Sequence, residues 1–206
     1  MPQRPDQTNP RRRRDAAATR SAIFEAATRR FACQGYQHAG LREIAADAGV
    51  DAAMVNRYFG SKEGLFAEVI DRAFDIRSLI DGDRATLAER LARMMVYGRE
   101  DIAGDRRIPL LLMLRAATEP DAAELIRTSL DRNVLRPLAE RLDGPDAEVR
   151  AAMVIAQCTG FAILNQMLQP RALAEAQQEE LVVLLKKSLA ACIGRVPPDG
   201  RRDPRG

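Results

Sequence analysis

Apolar positions recur every three to four residues along almost the whole chain, and no window alternates in the manner of a half-buried strand. Ile23, Ala27 and Phe31 mark one stripe, with Phe24 and Ala26 beside it, and predict a helix from Asp15 or Thr19 to Gln34. Gly35 suits the left-handed position that ends it. Leu41, Ile44, Ala45 and Ala48 predict a short helix over 41–48, closed by Gly49. Asp51 can cap a third over 52–58 by accepting hydrogen bonds from its first free N–H groups. Gly60 breaks the chain, and Ser61 can cap a fourth helix carrying Leu65, Phe66, Val69, Ile70, Ala73 and Phe74. Two short helices around a Gly-centred turn, Ala48-Gly49-Val50, have the form of a helix-turn-helix.

Past Ile80 the pattern predicts longer helices over 87–102, 110–118, 121–142, 146–168 and 173–193. Pro109 and Pro145 suit helix starts, and Pro137 should kink its helix near Asn133 because it removes one N–H from the ladder. The last two helices carry wide apolar faces: Val149, Met153, Ala156, Gly160, Ile163, Leu164 and Met167 on one, and Leu181, Leu184, Leu185, Leu189 and Ile193 on the other. The fold class is all-α.

Charge adds an asymmetry. The chain has 206 residues and a net charge of +3. Residues 1–14 alone are +4, the stretch 16–70 is neutral and 71–194 is −2. The two ends, 1–14 and 196–206, are rich in Pro and Arg without apolar periodicity and read as disordered arms, the first of them basic and suited to a polyanion. Aromatics make up 4% with no Trp, which leaves little for stacking on single-stranded bases. Cys33, Cys158 and Cys192 lie far apart and the one histidine is His38. Neither a disulfide framework nor a metal site is expected, nor a cofactor. No nucleophile motif or phosphate loop is present, so an enzyme is disfavoured. No run approaches the ~18 apolar residues of a membrane span, and no apolar stretch follows the first arginines as in a secretory signal. The expected place is the cytoplasm, away from the membrane.

The stretch Thr19–Phe74 resembles the tetracycline-repressor (TetR) family of transcriptional regulators. The resemblance rests on Thr19-Arg20, Ala26-Ala27, Phe31, Gly35-Tyr36, Arg42-Glu43-Ile44-Ala45, Ala48-Gly49-Val50, Tyr58-Phe59 and Gly60-Ser61-Lys62-Glu63-Gly64-Leu65-Phe66. It implies nine to ten helices. A three-helix head over 15–74, including the linking fourth helix, would bind double-stranded operator DNA. A larger body over 75–195 would bind a small-molecule effector and form a homodimer. A ligand-responsive repressor on a palindromic operator, released by an apolar molecule, is the implied function.

On that resemblance the third helix reads DNA. Val55 and Phe59 must face the core, leaving Ala52, Ala53, Met54, Asn56 and Arg57 toward the groove. Arg57 can fork onto guanine or hold a phosphate. Tyr58 and Lys62 stand where the family contacts phosphate, and Arg42 where it contacts base or phosphate. Two departures stand out. Ala39-Gly40 replaces the usual hydroxyl cap of the second helix, and Asn56 replaces a usual phosphate-binding Tyr. Arg11, Arg12, Arg13 and Arg14 would compensate as a flexible arm in the flanking minor groove.

The body is harder to read. Met94, Met113, Gln157, Phe161 and Asn165 are candidate pocket residues, since Met-rich walls suit varied apolar ligands, although ordinary core explains them as well. Met153, Gly160, Leu164, Leu181, Leu185 and Leu189 are candidate dimer-interface residues. A second reading stays open: a helical ligand-binding or scaffold protein whose head no longer binds specific DNA.

Overall fold

The computed structural model describes residues 10–98 and 105–194, with side chains from Arg14 onward. Among the described residues all regular structure is helical. The predicted tail 196–206 and residues 1–9 lie outside them. Two compact units form, the first from residues up to Ala73 together with Leu111–Ile126, the second from Phe74–Leu110 and the chain from Arg127 onward.

In the first unit α1 spans Pro10–Gln34, α2 Leu41–Asp47, α3 Ala52–Phe59 and α4 Lys62–Ala73. The expectation of a flexible arm through residue 14 is corrected: Arg11–Arg14 form the first turn of α1. Pro10 fits the start of a helix, and arginines followed by Ala16-Ala17-Ala18 are strong helix formers. Phe31, Tyr36 and Phe66 form the centre of the core, with Phe66 4.9 Å from each of the other two rings. Ile23, Ile44, Val55, Leu65 and Ile70 close around them at 1% exposure or less. Gly49 turns α2 into α3 at φ +67°, a conformation that side chains rarely adopt. From the later chain, Leu112, Ala116, Ala122 and Ile126 add buried surface to this unit.

The second unit begins with a short α5, Arg77–Ile80, and α6, Leu87–Tyr97. The expected helix over 87–102 ends early because Gly98 leaves it at φ +91°; residues 99–104 are outside the described set. Along the chain α7, Ile108–Ala116, and α8, Pro120–Leu130, follow, and their stretch Leu111–Ile126 belongs to the first unit. Asp131–Leu135 continue as a π-helical turn into α9, Arg136–Ala139. The widened turn lies immediately before Pro137, whose missing N–H removes the α-bond to Asn133. Next, α10, Ala147–Ala162, runs on through a second π-helical segment, Ile163–Leu168. The expected last helix is two: α11, Arg171–Ala174, and α12, Gln178–Ile193.

In this unit α12 lies along α6, with α10 beside both. Arg150 is buried at 7% exposure, and its guanidinium donates to the carbonyls of Cys192, Gly194, Pro145 and Asp143, closing the C-terminal end of α12. Burial pushes the Cys158 thiol up to about 12. The continuous helix Ala147–Leu168 is long and apolar enough to cross a membrane by length and composition, with only 22% of its apolar window buried. The stretch is apolar on average rather than an unbroken apolar run, since Glu148, Arg150, Gln157, Thr159, Asn165 and Gln166 interrupt it.

Candidate functional site

The geometry of α3 follows from two anchors. Asp51 caps it by accepting from the Ala53 N–H at 2.7 Å, and Val55 pins it at 1% exposure. The opposite side then has to face solvent. Ala53, Asn56 and Arg57 are exposed, and Ala52, Met54, Tyr58 and Phe59 are half-buried. Arg42, in the first turn of α2, is also exposed, and neither Arg42 nor Arg57 forms an ion pair among the described residues. Two uncommitted guanidinium groups and one amide on a rigid helix-turn-helix can hold phosphate or read purine edges. The weak cap at Gly40 is offset by Glu43, whose carboxylate accepts from the Gly40 N–H at 3.2 Å.

Lys62 is placed differently from a free surface lysine. Its Nζ donates to the Gln37 carbonyl at 3.0 Å and lies 4.9 Å from the centre of the Tyr36 ring. Burial pulls its ammonium below the ordinary lysine value, partly countered by Glu119 and Glu63. Glu119 in turn accepts from the Gln37 N–H at 2.9 Å, so the loop between α1 and α2 is held at both ends of one residue. The same carboxylate fills the space where a side chain at Gly35 would go, its Oε1 only 2.6 Å from an added Cβ. Arg115 Nε donates to the Ala32 carbonyl at 2.9 Å, satisfying an orphan acceptor near the end of α1. These two residues fasten the turn between α7 and α8 onto the head. Arg14 is exposed in the first turns of α1, and the side chains of Arg11, Arg12 and Arg13 lie outside the described residues.

A cavity of about 710 Å³ opens within the second unit. One wall is the π-helical segment with Asn165 and Gln166, and another is the start of α12 with Gln178 and Leu181. Val96 and Asp105–Arg107 complete it. Of the expected pocket residues only Asn165 lines this cavity. Phe161 and Met94 are half-buried elsewhere in the unit, and Met113 belongs to the first unit. Gln157 is spent tying α10 to α12, donating to Cys192 Sγ at 3.2 Å and accepting from Ser188 Oγ at 2.6 Å.

Residues 85–193, more than half of the chain, match the family model described as "Tetracyclin repressor-like, C-terminal domain". Residues 23–69 match that of the bacterial regulatory proteins of the tetR family. The chain belongs to the TetR family. A transcriptional repressor of Streptomyces coelicolor, SCO4008, is 41% identical over 59 residues, which span 29% of this chain and 31% of that repressor. The crystal structure of a TetR-family regulator from the same organism, SCO0857, is 25% identical with a TM-score of 0.62, over 95% of this chain and all of that one. NalD of Pseudomonas aeruginosa, a secondary repressor of a multidrug efflux pump, shares the fold at 21% identity and a TM-score of 0.60, over 84% of this chain and 97% of its own.

This TetR-family protein is thus a DNA-binding transcriptional regulator with a helix-turn-helix head. Its body departs from the sequence expectation at the dimer candidates. Leu181, Leu185 and Leu189 are buried at 8% exposure or less, on a helix that lies along α6 within the same subunit, and have little surface to offer a second copy. Met153 and Leu164 are exposed by 50% and 45%, and Gly160 is exposed with them. The residues that sequence reasoning passed over are Glu119 and Arg115 at the head and Arg106 in the cavity. The run Asp105-Arg106-Arg107 just ahead of α7 was the available signal for the cavity.

Proposed function

We propose that this chain is a ligand-responsive repressor that binds a palindromic operator as a homodimer in the cytoplasm. The observation that carries the reading is α3: a capped, core-anchored helix presenting Ala53, Asn56 and Arg57 outward, with Arg42 of α2 also exposed and outside any ion pair among the described residues. Arg57 forks onto guanine, Asn56 reads adenine or holds phosphate, and Ala53 and Met54 meet thymine methyls. Ala52, Tyr58, Arg42 and the first turn of α1, Arg11–Arg14, contact the backbone. Four arginines at a helix N-terminus oppose the helix dipole, an arrangement that a neighbouring polyanion relieves.

Dimerisation uses the outward stripe of α10 and its π-helical extension, Val149, Met153, Gly160 and Leu164, with Val183 and Leu184 of α12. An apolar helix left this exposed in a DNA-binding protein is best covered by a second copy. Two heads then meet half-sites about 34–36 Å apart. A small molecule in the body favours another spacing and lowers operator affinity by population shift. Repression needs only occupancy of a promoter.

Selection of random duplex DNA on the purified protein at near-physiological salt tests this. A recovered palindrome supports the proposal. Recovery of no motif, with binding that vanishes as salt rises, overturns it in favour of a helical ligand-binding or scaffold protein.

A further inference from the structure

The cavity of the second unit has a chemistry that the Met-rich expectation did not contain. Its volume of about 710 Å³ is in the range of small-molecule sites. Its charged residues are Asp105, Arg106 and Arg107. Arg107 grips Asp105 through Nε and a terminal nitrogen at 2.9 and 2.7 Å, and this pairing holds the Asp105 carboxyl below its ordinary range. Arg106 is different. One of its terminal nitrogens donates to the Val96 carbonyl at 2.7 Å, which fixes the guanidinium, and it forms no ion pair among the described residues. Arg93, Arg84 and Arg136 of the unit are matched by Glu179, Asp143 and Asp131, while Arg150 and Arg90, like Arg106, donate to backbone carbonyls but away from the cavity wall. Among the described residues, the wall therefore holds one fixed, uncompensated positive charge.

Around it stand side-chain amides, Asn165, Gln166, Gln169 and Gln178. The Gln166 Oε1 is buried without a hydrogen-bond partner among the described residues, an acceptor that only a donor group elsewhere on a ligand could satisfy. Asn165 and Gln166 sit on the π-helical segment, a widened turn that is costly to form and that tends to occur at functional positions. Apolar surface comes from Val96, Leu173 and Leu181.

We propose that this cavity takes a small amphipathic carboxylate, with Arg106 as its counter-ion and the amides as hydrogen-bonding partners. The proposal rests on the reading of the chain as a ligand-responsive regulator and names the class of its effector. A purely apolar ligand would strip water from Arg106 and give nothing back, and a cation would meet a like charge. Arg106 is exposed, and a carboxylate gains charge-assisted bonds from its free N–H groups. The apolar residues then receive the remainder of the molecule.

The test uses the full-length protein and a panel of aryl and medium-chain carboxylates, each paired with its own primary amide. Binding is read by ligand-observed NMR and by thermal shift. Carboxylates should bind about tenfold or more tightly than their amides, the worth of one charged hydrogen-bonding partner. Arg106→Gln should abolish that preference and Arg106→Lys should keep part of it, with far-UV circular dichroism confirming that each variant is folded. Equal binding of acids and amides, absence of binding by every acid at millimolar concentration, or a preference that survives in Arg106→Gln would each overturn the inference. Operator binding measured on the same wild-type preparation separates the two levels. Retained operator binding without carboxylate binding removes the effector class alone, whereas loss of any operator removes the repressor reading.

Discussion

The two units treat their apolar surface in opposite ways. In the first, α1 to α4 close around Phe31, Tyr36 and Phe66, and Leu114 is its one large apolar side chain left exposed among the described residues. In the second, α10, its π-helical extension and α12 expose Val149, Met153, Leu164, Met167, Leu168, Val183 and Leu184. A helical unit that hides its apolar residues is complete alone and offers polar groups outward. One that leaves whole stripes in solvent has area to offer a partner, as the proposed dimer requires. The head's outward chemistry is therefore charge and amide, and the body's is area.

That contrast predicts a sharp split within one helix. Leu189, at 0% exposure, and Leu184, at 56%, both lie on α12. Leu189→Ala should cost about 2–5 kcal/mol of stability by opening a cavity. Leu184→Ala should change the stability of the isolated subunit by about 0.5 kcal/mol or less. Urea denaturation at subunit concentrations low enough to populate monomer measures both, and equal costs would erase the distinction between the two faces.

A smaller effect is expected on the outward face of α3. Arg57→Ala should weaken operator binding by about 1–3 kcal/mol and relax the preference at one base pair, as shown by repeating the selection. A uniform loss across all sequences would make Arg57 a phosphate ligand instead. Glu119→Gln probes the fastening of the α7–α8 turn. It keeps an acceptor for the Gln37 N–H but removes the charge, and should destabilise the first unit by about 1 kcal/mol with faster amide exchange at Gln37. Unchanged exchange would mean that this hydrogen bond does not restrain the loop. Removal of residues 1–14 should flatten the salt dependence of operator binding by about 0.9 log unit for each phosphate that the protein no longer neutralises, and an unchanged slope would leave the arginine run without a part in binding.

The head was legible in the sequence because each signal there is local. Gly35, Gly49 and Gly60 end helices at positive φ, and Asp51 caps α3 through its own neighbour. Val55 has no other apolar face to compete with it. The first turn of α1 was misread because like charges in a row suggest disorder, while Pro10 and the helix propensity of arginine and alanine prevail. The body was partly opaque for a different reason. α12 carries the buried stripe Leu181–Leu185–Leu189 and, beside it, the exposed pair Val183 and Leu184, and periodicity cannot say how far its own subunit covers the apolar surface. The kink announced by Pro137 is visible as a π-helical turn, but the second π-helical segment at Ile163–Leu168 has no proline to announce it. Glu119 owes its position to packing against Gln37, 82 residues away, which no spacing encodes.

The most direct test compares the wild type with Met153→Glu/Leu184→Glu, two charges placed on exposed stripes of α10 and α12. Each is studied by analytical ultracentrifugation and by selection on random duplex DNA. The account predicts a dimeric wild type that recovers a two-half-site palindrome. It predicts a folded, monomeric variant that recovers at most a single half-site and binds the palindrome far more weakly. A variant that remains dimeric and keeps the full palindrome would contradict the account.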